Sequence, residues 1–370
     1  MDRPLLDRPP DDPVRLLDSD GALLGGYEPT LSETDLLSLY GDMRLGRRFD
    51  ERMISLQRQG RLGTYAPLAG QEGSQFGSMY ALSEDDWVFY QYREHAAPLS
   101  RGFPPEYLRY WAGYEEGNAV LADHRIFPLN ICIGDHVPHA TGMAWASKLQ
   151  DNDDEEAFVC HFGDGATSEG DFHEGLNFAG VFDTPTVFMC HNNGWAISVP
   201  REEQTRSATL AEKADAYGFE GVQVDGMDPL AVYEVTRAAV EKAKTPGDTP
   251  RPTLVETLEY RYGAHTTADD PGAYRGDEEV DAWREKDPID RLEAYLRDEG
   301  VLDDATDERI DGAIEDALAD AVETLESVEP DPDDMFADAF AEPTPRMEAQ
   351  REYLRALRER HGDDALVRDE

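Results

Sequence analysis

Two polar residues, Asp164 and Asn193, stand where two predicted strands end, and their side chains suit a metal ion. Asp164 closely follows the apolar run 157–162, and Asn193 closely follows a second run, 186–190. The segment 171–182 between them has the pattern of a crossover helix, which indicates that the two runs are buried parallel strands. Because carboxyl ends of neighbouring parallel strands meet at one edge, where α/β sheets bind ligands, we predict that both residues lie there.

The residue types at this edge predict a site for a divalent cation and a diphosphate. Asp164 offers a carboxylate oxygen, Asn193 a side-chain carbonyl, and the backbone just beyond the second strand a third oxygen. Such ligands suit a hard cation and leave coordination positions for phosphate oxygens. Gly163 and Gly165 flank Asp164 and let the backbone approach those phosphates closely. We therefore predict a magnesium diphosphate site.

The other strand and helix patterns predict an α/β fold, with a parallel sheet flanked by helices. Strands are predicted at 221–224 and 253–260, and Pro229 opens a helix that runs to about Lys244. Alternation of strands and helices is typical of a parallel sheet that is covered on both faces.

Helices outside this core are predicted from caps, periodicity and breakers. Ser32 with Asp35 three residues later marks a helix start, and Gly60 ends that pattern. The segment 330–334 places two prolines within a run of acidic residues and interrupts the C-terminal helices. Further helices are predicted at 72–82, 105–116 and 345–361.

The chain is predicted to form one large α/β domain with an extension at each end. Residues 1–30 are rich in proline, glycine and aspartate without helical periodicity, so we expect an extended arm that a partner orders. The α/β domain is predicted at 31–290, and an acidic helical extension at 291–370.

Acidic residues outnumber basic ones by 79 to 34, which gives a formal net charge of −45. Such a charge repels nucleic acid and anionic membranes, so we expect neither as a partner. The acidic residues recur across segments such as 151–156 rather than in one tail. Their mutual repulsion is tolerable when salt screens it, since the Debye length falls to about 3 Å at 1 M salt. We therefore hypothesise a halophilic host.

The cysteines and the apolar runs indicate in which cellular compartment the protein is expected. Cys132, Cys160 and Cys190 show no metal-ligand spacing, and two of them lie in predicted strands, so we expect reduced core thiols. No run approaches the roughly 20 apolar residues that span a bilayer, and the first residues carry no apolar signal region. A cytoplasmic protein is predicted.

The motif around Asp164 resembles that of a known enzyme family. Gly163-Asp164-Gly165, 26 intervening residues and Asn192-Asn193 are similar to the thiamine diphosphate motif. The sequence Gly-Asp-Gly-Ala-Thr-Ser-Glu-Gly-Asp-Phe-His-Glu-Gly-Leu-Asn-Phe-Ala-Gly at 163–180 narrows the likeness. From residue 30 to about 340, the chain resembles the alpha subunit of the thiamine-dependent decarboxylase of 2-oxoacid dehydrogenase complexes, of the pyruvate or branched-chain type. The resemblance implies a thiamine-diphosphate-binding fold with thiamine diphosphate and Mg²⁺ as cofactors.

The resemblance also implies which residues hold the cofactors. Tyr92 and Arg93, after an aromatic-rich run, would bind the diphosphate, and the planar guanidinium suits phosphate oxygens. Asp164, Asn193 and the backbone carbonyl of Trp195 would bind the metal. Close backbone approach to the phosphates is implied for Gly163, Gly165 and Ala166.

Two further positions carry implied roles in catalysis. Ile133 would hold thiamine in its bent conformation, although it is equally an ordinary core residue on sequence grounds. His265, in a polar loop after a predicted strand, would contact the diphosphate and support acyl transfer to lipoate. The next residue, Thr266, matches a phosphorylation position of some relatives.

The chain departs from the family pattern in two places. Asp135 and His136 replace a small residue and a glutamine, which leaves local hydrogen bonding and any monovalent-cation site open. His191 replaces an arginine or a neutral polar residue, and it either touches phosphate or packs.

The implied reaction is oxidative decarboxylation of pyruvate or a branched-chain 2-oxoacid, with acyl transfer to a lipoyl group. It requires a glutamate from a partner domain that no segment of this chain resembles. The resemblance therefore implies a beta subunit in an α2β2 heterotetramer and a lipoyl-bearing dihydrolipoyl acyltransferase. The chain alone is expected to be inactive.

Two alternatives stay open on sequence grounds. One is the alpha subunit of a thiamine-dependent acetoin dehydrogenase, which shares the cofactor and cleaves a different bond. The other is a non-catalytic scaffold subunit, which would retain the motif without turnover.

Overall fold

A computed structural model describes residues 5–9, 11–25, 27–328, 331–336, 340–363 and 365. A five-stranded parallel sheet has the order β1-β2-β3-β7-β6, and a two-stranded antiparallel pair, β4 and β5, follows β3 in sequence. The strands are β1 (Trp87–Phe89), β2 (Phe158–Gly163), β3 (Thr186–Asn192), β4 (Trp195–Ala196), β5 (Val199–Pro200), β6 (Glu220–Asp225) and β7 (Thr253–Leu258).

Helices connect these strands and follow them. Those found in the described residues are α1 (Glu33–Arg58), α2 (Glu72–Met79), α3 (Ala96–Ser100), α4 (Tyr107–Trp111), α5 (Glu116–Ala119), α6 (His136–Leu149), α7 (Gly170–Phe182), α8 (Arg201–Gln204), α9 (Pro229–Ala243), α10 (Asp277–Arg284), α11 (Pro288–Asp298), α12 (Asp304–Glu326) and α13 (Pro345–His361). The prediction of a parallel sheet flanked by helices is confirmed.

Strand residues alternate between two apolar layers. Phe158, Cys160 and Phe162 of β2 pack in a core with α6 and α7, whereas Val159 belongs to the opposite core with α1 and α9. Side chains point to opposite faces at successive strand positions, so a sheet covered on both faces needs continuous apolar runs. This burial explains why the runs 157–162 and 186–190 are almost entirely apolar, with His161 and Thr186 as the exceptions.

Local signals predict several helix ends correctly. The side chain of Ser32 accepts a hydrogen bond from the backbone N–H of Asp35 and caps α1, and α13 has its predicted bounds. The prediction of one helix at 105–116 is wrong, because α4 ends at Trp111 and α5 begins only at Glu116. Gly113 between them has φ 97°, a left-handed conformation that interrupts a helix.

The N-terminal segment packs on the sheet of its own chain. Val14 forms a parallel bridge with Val224 of β6. The backbone N–H groups of Leu16 and Leu17 donate to the carboxylate of Asp228 at 2.6 and 2.7 Å, and both leucines are buried. The structure thus differs from the expectation that a partner orders this arm, because the sheet edge and Asp228 already hold its polar groups.

The chain divides into two compact units, Met1–Leu325 and Glu326–Glu370. In the second unit Thr344 caps α13, and Arg358 on its last turn pairs with Asp363 at 2.6 Å. The domain boundaries predicted at residues 30 and 290 stay predictions.

Two thiols are buried and one is exposed. Cys160 and Cys190 lie in β2 and β3, where burial raises the pKa of each thiol well above its usual value. Cys132 is exposed, so the expectation of three core thiols is wrong for this residue. Within the described residues, no helix combines the length and apolar character needed to cross a bilayer.

Candidate active site

All ten predicted site residues line one cavity at the carboxyl edge of β2 and β3. Its volume is about 200 Å³. The residues brought together are Tyr92, Arg93, Ile133, Gly163, Asp164, Gly165, Ala166, Asn193, Trp195 and His265. They come from five separate segments of the chain, and parallel pairing of β2 with β3 brings the two strand ends together. Their individual roles stay predictions at this point.

Asp164 begins a 3₁₀ turn, Asp164–Ser168, directly after β2. Its side chain is 2 % exposed and accepts a hydrogen bond from Nε2 of Gln204 at 3.4 Å. Burial, with a smaller contribution from the carboxylate of Glu259, raises the pKa of Asp164 to about 7. A bound cation would favour the charged form and offset this burial.

Asn193 follows the last residue of β3 and is held on both sides of its amide. Its Oδ1 accepts from the backbone N–H of Trp195 at 3.2 Å, an arrangement typical of an asparagine turn. Its Nδ2 donates to Oε1 of Gln71 at 3.0 Å. Gly194 between Asn193 and Trp195 has φ 82°, which allows the chain to turn sharply here.

Arg93 and His265 also line the cavity and are hydrogen-bonded to each other. Nη2 of Arg93 donates to Nδ1 of His265 at 2.9 Å and to its backbone carbonyl at 2.8 Å, while Nη1 donates to the carbonyl of Pro67 at 2.7 Å. The hydroxyl of Tyr92 lies 3.5 Å from Nε2 of His265. Burial, together with the positive charges of Arg93 and Arg261, lowers the pKa of His265 to about 3, so the imidazole is neutral.

The loop that carries His265 is tied down by a polar network. The carboxylate of Asp269 accepts from the backbone N–H of His265 at 2.7 Å and from the hydroxyl of Tyr274 at 2.6 Å. Arg275 donates to the backbone carbonyl of Tyr262 at 2.8 Å. Since each of these bonds joins two residues of the segment 262–275, the loop is closed on itself and His265 has a fixed place in the cavity wall.

His191 packs beneath the cavity rather than lining it. It is 1 % exposed, and its Nδ1 lies 3.2 Å from the carboxylate of Glu259 and 3.3 Å from the hydroxyl of Ser74. Its Nε2 lies 3.0 Å from Nδ1 of His161. Burial lowers the pKa of His191 and the Glu259 carboxylate raises it, with a net upward shift. Of the two alternatives for His191, the geometry matches packing.

His136 and Asp135 also find their partners away from the cavity. Nε2 of His136 lies 2.7 Å from the backbone carbonyl of His161, and Asp135 accepts from the side chain of Asn130 at 2.6 Å. Both contacts brace the start of α6, which follows the segment of Ile133. Ile133 itself is 37 % exposed at the edge of the cavity, so it is not an ordinary core residue.

The cavity fits a diphosphate with one hard cation. A Cβ built on Gly163 would meet no described atom within 4 Å, so this backbone faces open space, whereas one on Gly165 would stand 2.9 Å from Cβ of Ala196. Over the described residues, no three His, Cys, Asp or Glu side chains form a metal cluster. At the ends of β2 and β3 the oxygen donors are the carboxylate of Asp164, the amide oxygen of Asn193 and backbone carbonyls, a set that suits Mg²⁺ when phosphate oxygens complete its shell.

Sequence reasoning missed several residues of the cavity wall. Glu169 stands at the N-cap position of α7, where its side chain makes no capping bond within the described structure, and it lines the cavity. The other missed members flank predicted residues in sequence, and that adjacency was the available signal; they are Gln91, Glu94, Ala196 and Ile197.

The fold and the cavity define an α/β protein with a polar pocket at the carboxyl edge of its parallel sheet. Comparison with known proteins narrows this class. The dehydrogenase E1 component family matches residues 40–333, and the chain belongs to that family. Membership implies a thiamine-diphosphate-dependent enzyme of 2-oxoacid dehydrogenase complexes, in which alpha subunits work with a beta subunit.

Curated relatives cover most of the chain. The 3-methyl-2-oxobutanoate dehydrogenase subunit alpha of Mycobacterium tuberculosis is 43 % identical over 351 residues, 93 % of this chain and 94 % of the relative. The pyruvate dehydrogenase E1 component subunit alpha of Acholeplasma laidlawii is 40 % identical over 332 residues, 88 % of this chain and 94 % of the relative. The corresponding Staphylococcus aureus subunit is 41 % identical over 310 residues, 83 % of this chain and 82 % of the relative. The predicted alpha-subunit family is thereby confirmed.

Proposed function

We propose that the cavity binds thiamine diphosphate through Mg²⁺ and that the chain is the alpha subunit of a decarboxylating 2-oxoacid dehydrogenase. The observation that carries this proposal is the convergence of all ten predicted residues on one cavity. Family membership supports the cofactor, and the oxygen donors of Asp164 and Asn193 support the metal.

In this proposal some residues of the cavity bind the cation and others bind the diphosphate. Asp164, Asn193 and the backbone carbonyl of Trp195 hold Mg²⁺. Arg93 presents its guanidinium to the diphosphate, and backbone N–H groups of Gly165 and Ala166 donate to it. Bound thiamine diphosphate supplies the electron sink that decarboxylation of a 2-oxoacid needs.

Three side chains position the cofactor. His265 is neutral and accepts from Arg93 at Nδ1, so its proton is on Nε2, beside the hydroxyl of Tyr92. That N–H is available to donate to a phosphate or to the acyl group during transfer. Ile133 gives an apolar support for the bent thiamine at the edge of the cavity.

The edge of the cavity carries exposed apolar side chains, which is the basis for proposing a partner subunit. Four large apolar side chains that line it, or that stand two residues from a lining residue, are exposed by 37–55 %, and they are Ile131, Ile133, Ile197 and Val199. Exposed apolar patches beside a site mark interaction surfaces. We propose that a beta subunit covers this edge in an α2β2 heterotetramer and that a lipoyl-bearing acyltransferase receives the acyl group.

The substrate is proposed to be pyruvate or a branched-chain 2-oxoacid. The relatives include one named for 3-methyl-2-oxobutanoate and others named for pyruvate, at similar identity to this chain. Because the beta subunit completes the pocket in this proposal, the substrate choice depends on both chains.

The test is co-expression with the candidate beta subunit in molar salt. Decarboxylation of pyruvate, 3-methyl-2-oxobutanoate and 3-methyl-2-oxopentanoate is measured with an artificial electron acceptor, with thiamine diphosphate and Mg²⁺ present or omitted. We expect turnover of at least one oxoacid that requires both cofactors. Asp164→Ala is expected to abolish it, while the exposed Asp154→Ala serves as control. Activity on acetoin alone would assign the acetoin enzyme instead, and cofactor binding without any turnover would assign a scaffold.

A further inference from the structure

Gln71 connects the cavity to the polypeptide behind it. This residue precedes α2, is fully buried and does not line the cavity. Its amide lies between the side chain of Asn193 and the backbone carbonyl of Leu68. Two side-chain amides therefore stand in series behind the cavity.

The series has a defined hydrogen-bond direction. The backbone N–H of Trp195 donates to Oδ1 of Asn193 at 3.2 Å, Nδ2 of Asn193 donates to Oε1 of Gln71 at 3.0 Å, and Nε2 of Gln71 donates to the carbonyl of Leu68 at 3.4 Å. The first group in the series can only donate, and the last can only accept.

These end groups fix the orientation of both amides. If Asn193 were rotated by half a turn about its terminal bond, its NH₂ would face the N–H of Trp195, and its oxygen would face the oxygen of Gln71. Both residues are at least nine-tenths buried, so water cannot relieve either mismatch. Leaving a buried amide unsatisfied costs more than a made hydrogen bond contributes in net stability.

We propose that Gln71 is a positioning residue that keeps the side-chain oxygen of Asn193 turned towards the cation site and its NH₂ turned away. This inference rests on the proposed function, because it matters only if Asn193 ligates a cation. An amide binds a hard cation through oxygen alone, so a reversed Asn193 would present two N–H donors to the ion. Gln71 therefore acts on metal binding through Asn193 without touching the metal.

Gln71→Met tests the inference, since methionine has a similar size and offers no strong acceptor to Asn193. The wild-type chain and its variants are co-expressed with the candidate beta subunit. Mg²⁺ binding is titrated calorimetrically at saturating thiamine diphosphate, and the thermal midpoint of the cofactor-free complex is recorded. We expect Gln71→Met to weaken Mg²⁺ binding about 10- to 100-fold, as loss of a residue that orients a metal ligand does. Gln71→Glu, which retains an acceptor, should stay within about fivefold of wild type.

A second comparison separates orientation from general support. An aspartate at 193 presents oxygen on both sides and needs no orienting partner. In an Asn193→Asp background, Gln71→Met should therefore change Mg²⁺ binding by less than about twofold. Gln223→Met makes the same exchange at a buried glutamine that bonds Glu256 and not the cavity, so it should leave Mg²⁺ binding unchanged.

Each result bears on the inference. Unchanged Mg²⁺ binding in Gln71→Met, an equal loss in Gln71→Glu, or the same loss in the Asn193→Asp background would overturn the positioning role. If the wild-type complex itself binds no Mg²⁺ with thiamine diphosphate, the proposed function fails, and the inference fails with it. The inference is supported if Mg²⁺ binding weakens in Gln71→Met when residue 193 is asparagine and stays near the reference value in the other variants.

Discussion

Nη2 of Arg93 donates to both Nδ1 and the backbone carbonyl of His265, at 2.9 and 2.8 Å. One guanidinium thereby fixes the position and the tautomer of the imidazole, and with burial it keeps the ring uncharged. Nδ1 must be unprotonated to accept, and the nearby positive charge disfavours an imidazolium. Arg93 thus prepares His265 as a neutral N–H donor.

Arg93→Lys should weaken thiamine diphosphate binding about 10- to 100-fold. A lysine ammonium keeps the charge but cannot reach His265 and the carbonyl of Pro67 with the same planar fork, and charge-assisted hydrogen bonds contribute about 1.5–3 kcal/mol each. Calorimetric titration of the complex with the cofactor measures the effect. Arg48→Lys, the same exchange at a half-exposed surface pair, is the control, and equal affinities in both variants would contradict the prediction.

Stability at acid pH should depend on His265. Its pKa is lowered from 6.5 to about 3 in the folded chain, so between those values the unfolded chain binds more protons. Stability contributed by this residue is then present above pH 6.5 and is lost as pH falls towards 3.

We expect the difference in thermal midpoint between wild type and His265→Gln to shrink from pH 6.5 to 4.5. The change corresponds to on the order of 1 kcal/mol, with solvent screening of the partly exposed ring taken into account. Asp50 acts in the opposite sense, because burial raises its pKa to about 7, so only the difference between the variants isolates His265. A pH-independent difference would refute the assignment.

Gly70→Ala should destabilise the fold by more than 2 kcal/mol, in order-of-magnitude terms. Gly70 has φ 95°, and an added Cβ would overlap the carbonyl oxygen of Tyr260 and come within 2.8 Å of the Tyr262 ring. Gly60→Ala is the matched control, because Gly60 has φ 72° but no described atom within 4 Å of its Cβ position. It should lose only about 1 kcal/mol, the strain of a left-handed residue. Chemical unfolding of both variants gives the comparison.

The net charge of −45 should make the fold depend on salt. Screening of like charges is nearly complete at 1 M salt, so the thermal midpoint should rise steeply between 0.1 and 2 M potassium chloride. Sucrose at equal osmolality should raise it much less, since it does not screen charge. Full stability in dilute buffer would contradict the halophile hypothesis.

The elements that sequence predicts well are those with local causes. Ser32 and Asp35 mark the start of α1 by their spacing, and the strands beside Asp164 and Asn193 are marked by apolar runs because both faces of the sheet are covered. The order of the strands has no such signal. Insertion of β7 between β3 and β6 depends on how crossover helices pack, which no pattern within one strand encodes.

The candidate site likewise contains residues that local sequence signals predict and residues that they do not. Residues that belong to the quoted motifs meet in one cavity, as predicted, because each motif marks the end of one strand or loop. The residues behind them escaped prediction. Gln71 and Asn193 are 122 positions apart, and His191 and Glu259 are 68 apart, so their pairing exists only in the folded chain.

The contrast between the exposed thiol of Cys132 and the two buried strand thiols makes the chain suitable for single-site labelling. Under native conditions a maleimide dye should attach at Cys132 alone. The thiols of Cys160 and Cys190 are buried in the sheet, and burial raises their pKa, so little reactive thiolate is present. Cys132 adjoins Ile133 at the edge of the cavity. A fluorophore there would turn the unmodified sequence into an optical reporter of cofactor entry and of partner assembly.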